Sequence, residues 1–186
     1  ISKETAVSRI KSRDIEGVFY PIIDPREKDL LKKNWLATGI GAVPGAATGQ
    51  VVFSARDAEE ANERDEKVIL VRRETSPEDV GGMHAAVGIL TVTGGKTSHA
   101  AVVARGWGKC CIVGCESIKI DYHKKEIITK NETVIKEGEE ITLDGTTGNV
   151  YRGKFALIAP RLPQAYGEIL KWADQIRKLG VRANAD

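Results

Sequence analysis

The sequence predicts an α/β domain, and three observations carry that reading. Short runs rich in Val, Ile and Thr recur between turn signals, helix candidates interrupt them, and 186 residues suffice for one compact core with linkers but not for two large domains.

In chain order, residues 1–37 are charged and broken by Pro21 and Pro25, with a short helix candidate at Arg26–Trp35; they read as a linker. Residues 38–157 read as the domain. Its strand candidates are Gln50–Ser54, Lys67–Arg72, Val87–Val92, Ser117–Ile120, Glu126–Thr129, Glu140–Leu143 and Asn149–Tyr151. Ala55–Arg64 is a charged helix candidate. Pro77–Met83 has Ser76 as N-cap and proline at the first helical position, and a third helix begins around His99. Asp144-Gly145-Thr146-Thr147-Gly148 connects two strand candidates as a hairpin, which makes Asp144 a turn residue. Residues 158–186 read as a second linker. Within them Gln164–Lys178 gathers Tyr166, Ile169, Leu170, Trp172, Ala173 and Ile176 on one helical face, expected to pack on something partly missing. The chain opens on Ile1 and closes on Ala183-Asn184-Ala185-Asp186, and is expected to be a piece of a longer protein that has lost any targeting signal.

Composition narrows the function classes. With 28 Lys and Arg against 26 Asp and Glu, the formal charge is +2 and the basic residues are dispersed, which gives nucleic-acid binding little support. Apolar stretches such as Ala85–Val92 fall far short of a membrane span, so a soluble segment is expected. Cys110, Cys111 and Cys115 are an odd number in an apolar stretch. They read as buried thiols, against a zinc reading with His123 as fourth ligand that lacks a second pair at finger spacing; no metal site is expected.

The chemistry concentrates in "GGKTSHAAVVARG", residues 94–106. An apolar strand ends just before it, Gly94 and Gly95 permit a tight turn and close ligand approach, and Thr97 and Ser98 are capping residues ahead of a run of small apolar ones. His99 then stands in the first helical turn, where unpaired N–H groups and the helix dipole favour an anion and the two hydroxyls add donors. Such an imidazole can bind phosphate as a cation, work as acid or base, or attack phosphorus. A hydrogen-bonded structural histidine is the plainer alternative. His84 and His123 lack comparable surroundings and are read as structural.

Gly94 to Arg105, G-G-x-T-S-H-A-A-V-V-A-R, resembles the phosphohistidine signature of the phosphoenolpyruvate-utilising enzymes. With Gly106, Cys110-Cys111 and Gly114-Cys115 following, it is most similar to the pyruvate phosphate dikinase branch of that family. "PGAATGQVVF", "ETSPEDVGGMHAA", "DGTTGNVYRG" and "WADQIRKLGVRANAD" extend the resemblance over nearly the whole chain, most weakly over residues 1–33. Lys96 departs from it, where Met or Arg is expected.

The resemblance implies a swivelling β/β/α phosphohistidine domain with flanking linker helices. It implies a parent, expected to be a homodimer, that converts ATP, phosphate and pyruvate to AMP, diphosphate and phosphoenolpyruvate with Mg²⁺ and a monovalent cation, neither held by this chain. His99 would carry the phosphoryl group on Nε2 between a nucleotide-binding domain and a pyruvate-binding barrel, both elsewhere in the parent. Thr97 and Ser98 would steady ring or phosphate, with Gly95 giving close approach, and Thr97 is also a candidate regulatory phosphorylation site. Thr75 or Ser76 would accept the ring proton, helix capping being the other reading. Arg105, about two turns beyond His99, is as readily a structural salt bridge as a phosphate contact. Hinges are expected within Pro21–Leu36 and Ala159–Arg182. The compartment is expected to be cytoplasm, or chloroplast or another organelle. Phosphoenolpyruvate synthase and a non-catalytic anion-binding module are the competing readings.

Overall fold

The computed structural model describes residues 1–11, 14, 15 and 17–180. In chain order the described elements begin with α1 (Lys3–Arg9), β1 (Ile22–Ile23), α2 (Lys28–Lys33), β2 (Trp35–Thr38), β3 (Ile40–Val43), β4 (Ala46–Val52), α3 (Ala55–Glu63) and β5 (Val68–Arg72). They continue with α4 (Val80–Ala85), β6 (Gly88–Thr91), α5 (His99–Trp107), β7 (Cys110–Val113), β8 (Ile118–Asp121), β9 (Glu126–Thr129) and β10 (Val134–Lys136). The last are β11 (Glu140–Asp144), β12 (Asn149–Arg152), β13 (Leu157–Ile158) and α6 (Gln164–Ile176). Two compact units form, residues 20–159 and, of the described residues, those up to 19 with 160–180.

The larger unit is a mixed α/β structure around an eight-stranded sheet of order β2-β12-β11-β4-β5-β6-β7-β3. β4 to β7 run parallel, each linked to the next by a helix, and the outer strands are antiparallel. A three-stranded antiparallel sheet, β10-β9-β8, supplies the second β layer. Alternation along the central strands sorts the core into two faces. Ile69, Val71, Leu90 and Ile112 pack with Ile118, Ile127 and Ile135 of the small sheet. Val68, Leu70, Ile89 and Val113 pack with Ala58, Ala61, Met83, Ala100, Ala101 and Ala104 of the three helices. The layers are therefore β/β/α. Small residues let the helices approach closely: a Cβ at Gly82 would stand 2.3 Å from the Ala55 Cα, which fixes how near α4 can lie to α3.

The expected hairpin is present, with β11 paired to β12 and the Asp144 carboxylate accepting from the Thr146 and Thr147 backbone N–H groups. The expected boundaries at residues 37 and 158 differ from those of this unit. Ile22 and Ile23 pair with Ile158 and Leu157, the Asp24 N–H donates to the Ala156 carbonyl at 2.9 Å, and buried Asp24 caps the Pro25–Glu27 turn. The hinge candidate Pro21–Leu36 therefore lies within the compact unit. The helix expected over Arg26–Trp35 stops at Lys33, because Trp35 to Thr38 are drawn into the large sheet beside β12.

In the smaller unit, α1 lies against α6, with Phe19 edge-on to Tyr166 and the Lys3 ammonium over the Trp172 ring. The amphipathic α6 forms as expected, without a fully buried residue. Val181 and Arg182, the end of the second hinge candidate, lie outside the described residues. Among the described residues no helix is long and apolar enough to cross a membrane.

Candidate functional site

β5 and β6 are parallel neighbours, so they end side by side and the loops leaving them face each other. One loop carries Thr75, the other leads into His99. Residues 24 apart in sequence thereby meet, with Thr75 Oγ1 3.0 Å from His99 Nδ1. Sites at the carboxyl ends of parallel strands are a general consequence of this topology.

Ser98 is the N-cap of α5, with extended backbone and its Oγ accepting from the Ala101 N–H at 3.4 Å. The preceding turn closes through the Ser98 N–H to the Gly95 carbonyl at 2.9 Å. Gly94 has φ +106°, a conformation that L side chains rarely adopt, and a Cβ there would sit 3.0 Å from the Ser98 Cβ. At the other end Gly108, in the left-handed conformation, terminates the helix.

His99 is half-buried in a pocket of about 210 Å³ lined by Glu74, Thr75, Thr91, Thr93, Gly94, Ser98, His99 and Ala100. The pocket is smaller than the roughly 300–1,000 Å³ of sites that enclose drug-sized ligands. Two hollows of larger volume lie elsewhere, about 290 Å³ beside Asp57 and Glu137 and about 460 Å³ beside Trp35 and Lys28, and neither contains a histidine.

The expected site residues divide by what they touch. Thr75, Ser98 and His99 share the pocket. Ser76 does not reach the ring: its N–H and Oγ donate to Asp79 Oδ2 at 2.9 and 3.3 Å in a capping arrangement. Of the two hydroxyl residues, Thr75 contacts the ring and Ser76 caps the turn. Thr97 is exposed, and a Cβ at Gly95 would meet no atom within 4 Å, so both border open space outside the pocket lining. Arg105 turns to backbone carbonyls, donating from Nη2 to Lys96 O at 3.2 Å and Ala42 O at 3.4 Å, and so braces the loop ahead of His99 against β3.

Sequence reasoning missed Glu74, Thr91 and Thr93 in the lining. Thr91 and Thr93 carry a signal in retrospect, since residues two apart leave a strand end on one side. The three thiols are buried, and Cys110 and Cys111 point to opposite faces of the sheet. That divergence precludes a shared zinc. Among the described residues no three His, Cys, Asp or Glu side chains converge as metal ligands. His84 lies edge-on to Trp107, and His123 sits in the turn after β8, its N–H donating to Asp121.

Residues 64–148 match the model of the mobile domain of PEP-utilising enzymes. The chain is 50% identical over 186 residues to pyruvate, phosphate dikinase, chloroplastic, of Flaveria pringlei, covering 100% of this chain and 19% of that protein. It is 46% identical over 186 residues to pyruvate, phosphate dikinase of Rhizobium meliloti, covering 100% of this chain and 20% of that protein. A solution structure of Enzyme I (nEIt) is similar at 22% identity and TM-score 0.35, over 60% of this chain and 36% of that one. The chain thus spans about a fifth of the length of these curated relatives. The helix start bearing His99, at the ends of parallel strands, lies inside the segment that matches the mobile domain of PEP-utilising enzymes.

Proposed function

We propose that this chain is the phosphocarrier domain of a pyruvate phosphate dikinase, phosphorylated on His99 and moving between two sites elsewhere in the parent. The observation that carries the reading is the Thr75 Oγ1 to His99 Nδ1 contact at 3.0 Å beside the pocket at the start of α5. With the proton on Nδ1 and Thr75 accepting it, the Nε2 lone pair is free for in-line attack. Nε2 bonds to the β-phosphorus as the bond from that phosphorus to the AMP oxygen breaks, which leaves a diphosphoryl group on the ring; inorganic phosphate then takes the terminal phosphoryl group and leaves as diphosphate, one phosphoryl group remaining on Nε2. In the second half, the oxygen of enolised pyruvate displaces Nε2. The N–H groups at the start of α5 favour the anionic group throughout.

Mg²⁺ and the monovalent cation belong, on this reading, with the nucleotide and pyruvate sites of the parent. The parent works in the cytoplasm or, like the relative named chloroplastic, in the chloroplast. Thr97, exposed two residues before His99, suits regulation: a phosphate there adds about −1.5 to −2 charge beside the incoming group.

The test is to incubate the parent protein with ATP, phosphate and Mg²⁺ and seek acid-labile phosphate by mass spectrometry under alkaline conditions. Label is expected on His99, absent from His99→Ala and slowed in Thr97→Asp. A folded, nucleotide-binding parent that leaves His99 unlabelled would overturn the proposal. Turnover that persists without inorganic phosphate would assign the parent to the synthase instead.

A further inference from the structure

The loop from Arg72 to Asp79 is anchored on both sides of Thr75. Arg72 ends β5 with its Nε 3.3 Å from Asp79 Oδ1, its Nη1 donating to the Phe53 carbonyl at 3.0 Å, and its guanidinium 5.8 Å from the Tyr122 ring centre. Asp79 is 4% exposed and spends its other oxygen, Oδ2, on the Ser76 N–H and Oγ–H. On the near side the Arg73 N–H donates to the Tyr122 hydroxyl at 2.9 Å, while the Arg73 carbonyl accepts from the Thr93 N–H and Oγ, each at 2.9 Å. Tyr122 belongs to the turn between β8 and β9, in the opposite layer, and packs edge-on to Phe53. Only Glu74 and Thr75 stand between the anchored Arg73 and Ser76.

A largely buried ion pair is weak evidence of stability, because desolvating two charges offsets their attraction. Its geometry is more informative: one carboxylate joins the end of a strand to the start of the next helix and sets the span that Thr75 must bridge. We infer that Arg72, Asp79 and Tyr122 are positioning residues that hold Thr75 Oγ1 against His99 Nδ1 and thereby fix the ring with Nε2 unprotonated. None of the three lines the pocket. The inference rests on the proposed phosphorylation of His99.

The experiment measures single-turnover phosphorylation of His99 in the parent protein, with the apparent KM for ATP, in Asp79→Asn, Tyr122→Phe, Thr75→Val and the two double variants with Thr75→Val. A loss of alignment predicts roughly 10- to 100-fold slower phosphorylation in each single variant with KM for ATP unchanged. Because the effect passes through the Thr75 hydroxyl, neither substitution should slow the Thr75→Val protein further. Additive slowing in the double variants, or parental rates in folded single variants, would overturn the inference. Tyr122→Phe removes one oxygen from a ring that is 44% exposed, so it decides the matter where Asp79→Asn does not fold. An unmodified parent that never labels His99 would instead remove the functional reading beneath it.

Discussion

Cys110 and Cys111 are adjacent in sequence, buried on opposite faces of one strand, and chemically silent for the same reason. Burial disfavours the thiolate and pushes both thiols up to about 12, and raises Cys115 as well. The folded state therefore keeps protons that an unfolded thiol releases near its ordinary value of 9.0. This contribution to stability is fully present below about 9 and is lost as the pH rises through about 12. Alkylation at about pH 8 should leave the native thiols unmodified and modify all of them in concentrated denaturant. Urea melts should show a decline in stability above pH 9.0 that is shallower for Cys111→Ala, and rapid labelling of the native protein would refute the burial argument. His99, the nucleophile of the proposed function, is by contrast half-buried, with one nitrogen contacted by Thr75. A carrier nucleophile needs that partial exposure, since each acceptor must reach it.

At the scale of elements, the start of α5 decides where His99 points, and two residues define that start. Ser98→Ala removes a side-chain cap and should cost about 1 kcal/mol. Gly94→Ala adds a side chain at φ +106° and presses a Cβ onto Ser98, for which roughly 1–3 kcal/mol is expected from the backbone alone. Urea denaturation of both variants checks the order, and an equal or smaller loss for Gly94→Ala would mean that the turn relaxes freely. This helix start was legible in the sequence because its chemistry is local: capping hydroxyls, paired glycines and small residues follow one another within a dozen positions. The strands that were missed depend on distant partners. Cys110–Val113 is buried at every position, so it lacks the alternation that marks a half-exposed strand, and Trp35–Thr38 becomes a strand only beside β12. The Thr75 contact was indicated by resemblance, while Arg72 and Tyr122 carry no motif and Asp79 carries only the capping pattern with Ser76. Their link is made by loop packing between layers, which residue spacing does not encode.

At the scale of the whole molecule, composition placed the start of the domain near residue 38, whereas the compact unit runs from residue 20 to 159. The difference comes from pairing that joins the two ends of the unit. β1 and β13 form a short ribbon, the Asp24 N–H donates to Ala156 O, and the Ala156 N–H donates to Glu27 Oε2 at 3.0 Å. On the proposed function the unit swings as one body, and such a ribbon would serve that motion because both chain connections leave from one place and can turn about one region. Flexing should then concentrate outside residues 20–159, despite the prolines at 21 and 25. Limited trypsin digestion distinguishes the two placements, since basic residues lie on both sides of the boundary. Early cleavage is expected at Lys11, Arg161, Arg177 and Lys178, leaving a resistant fragment that retains Lys28, Lys32 and Lys33 uncut within the tied segment. If the first cuts fall at Lys28, Lys32 or Lys33 while β2 onward persists, the ribbon opens too readily to act as a clasp, and the moving body begins where composition placed it.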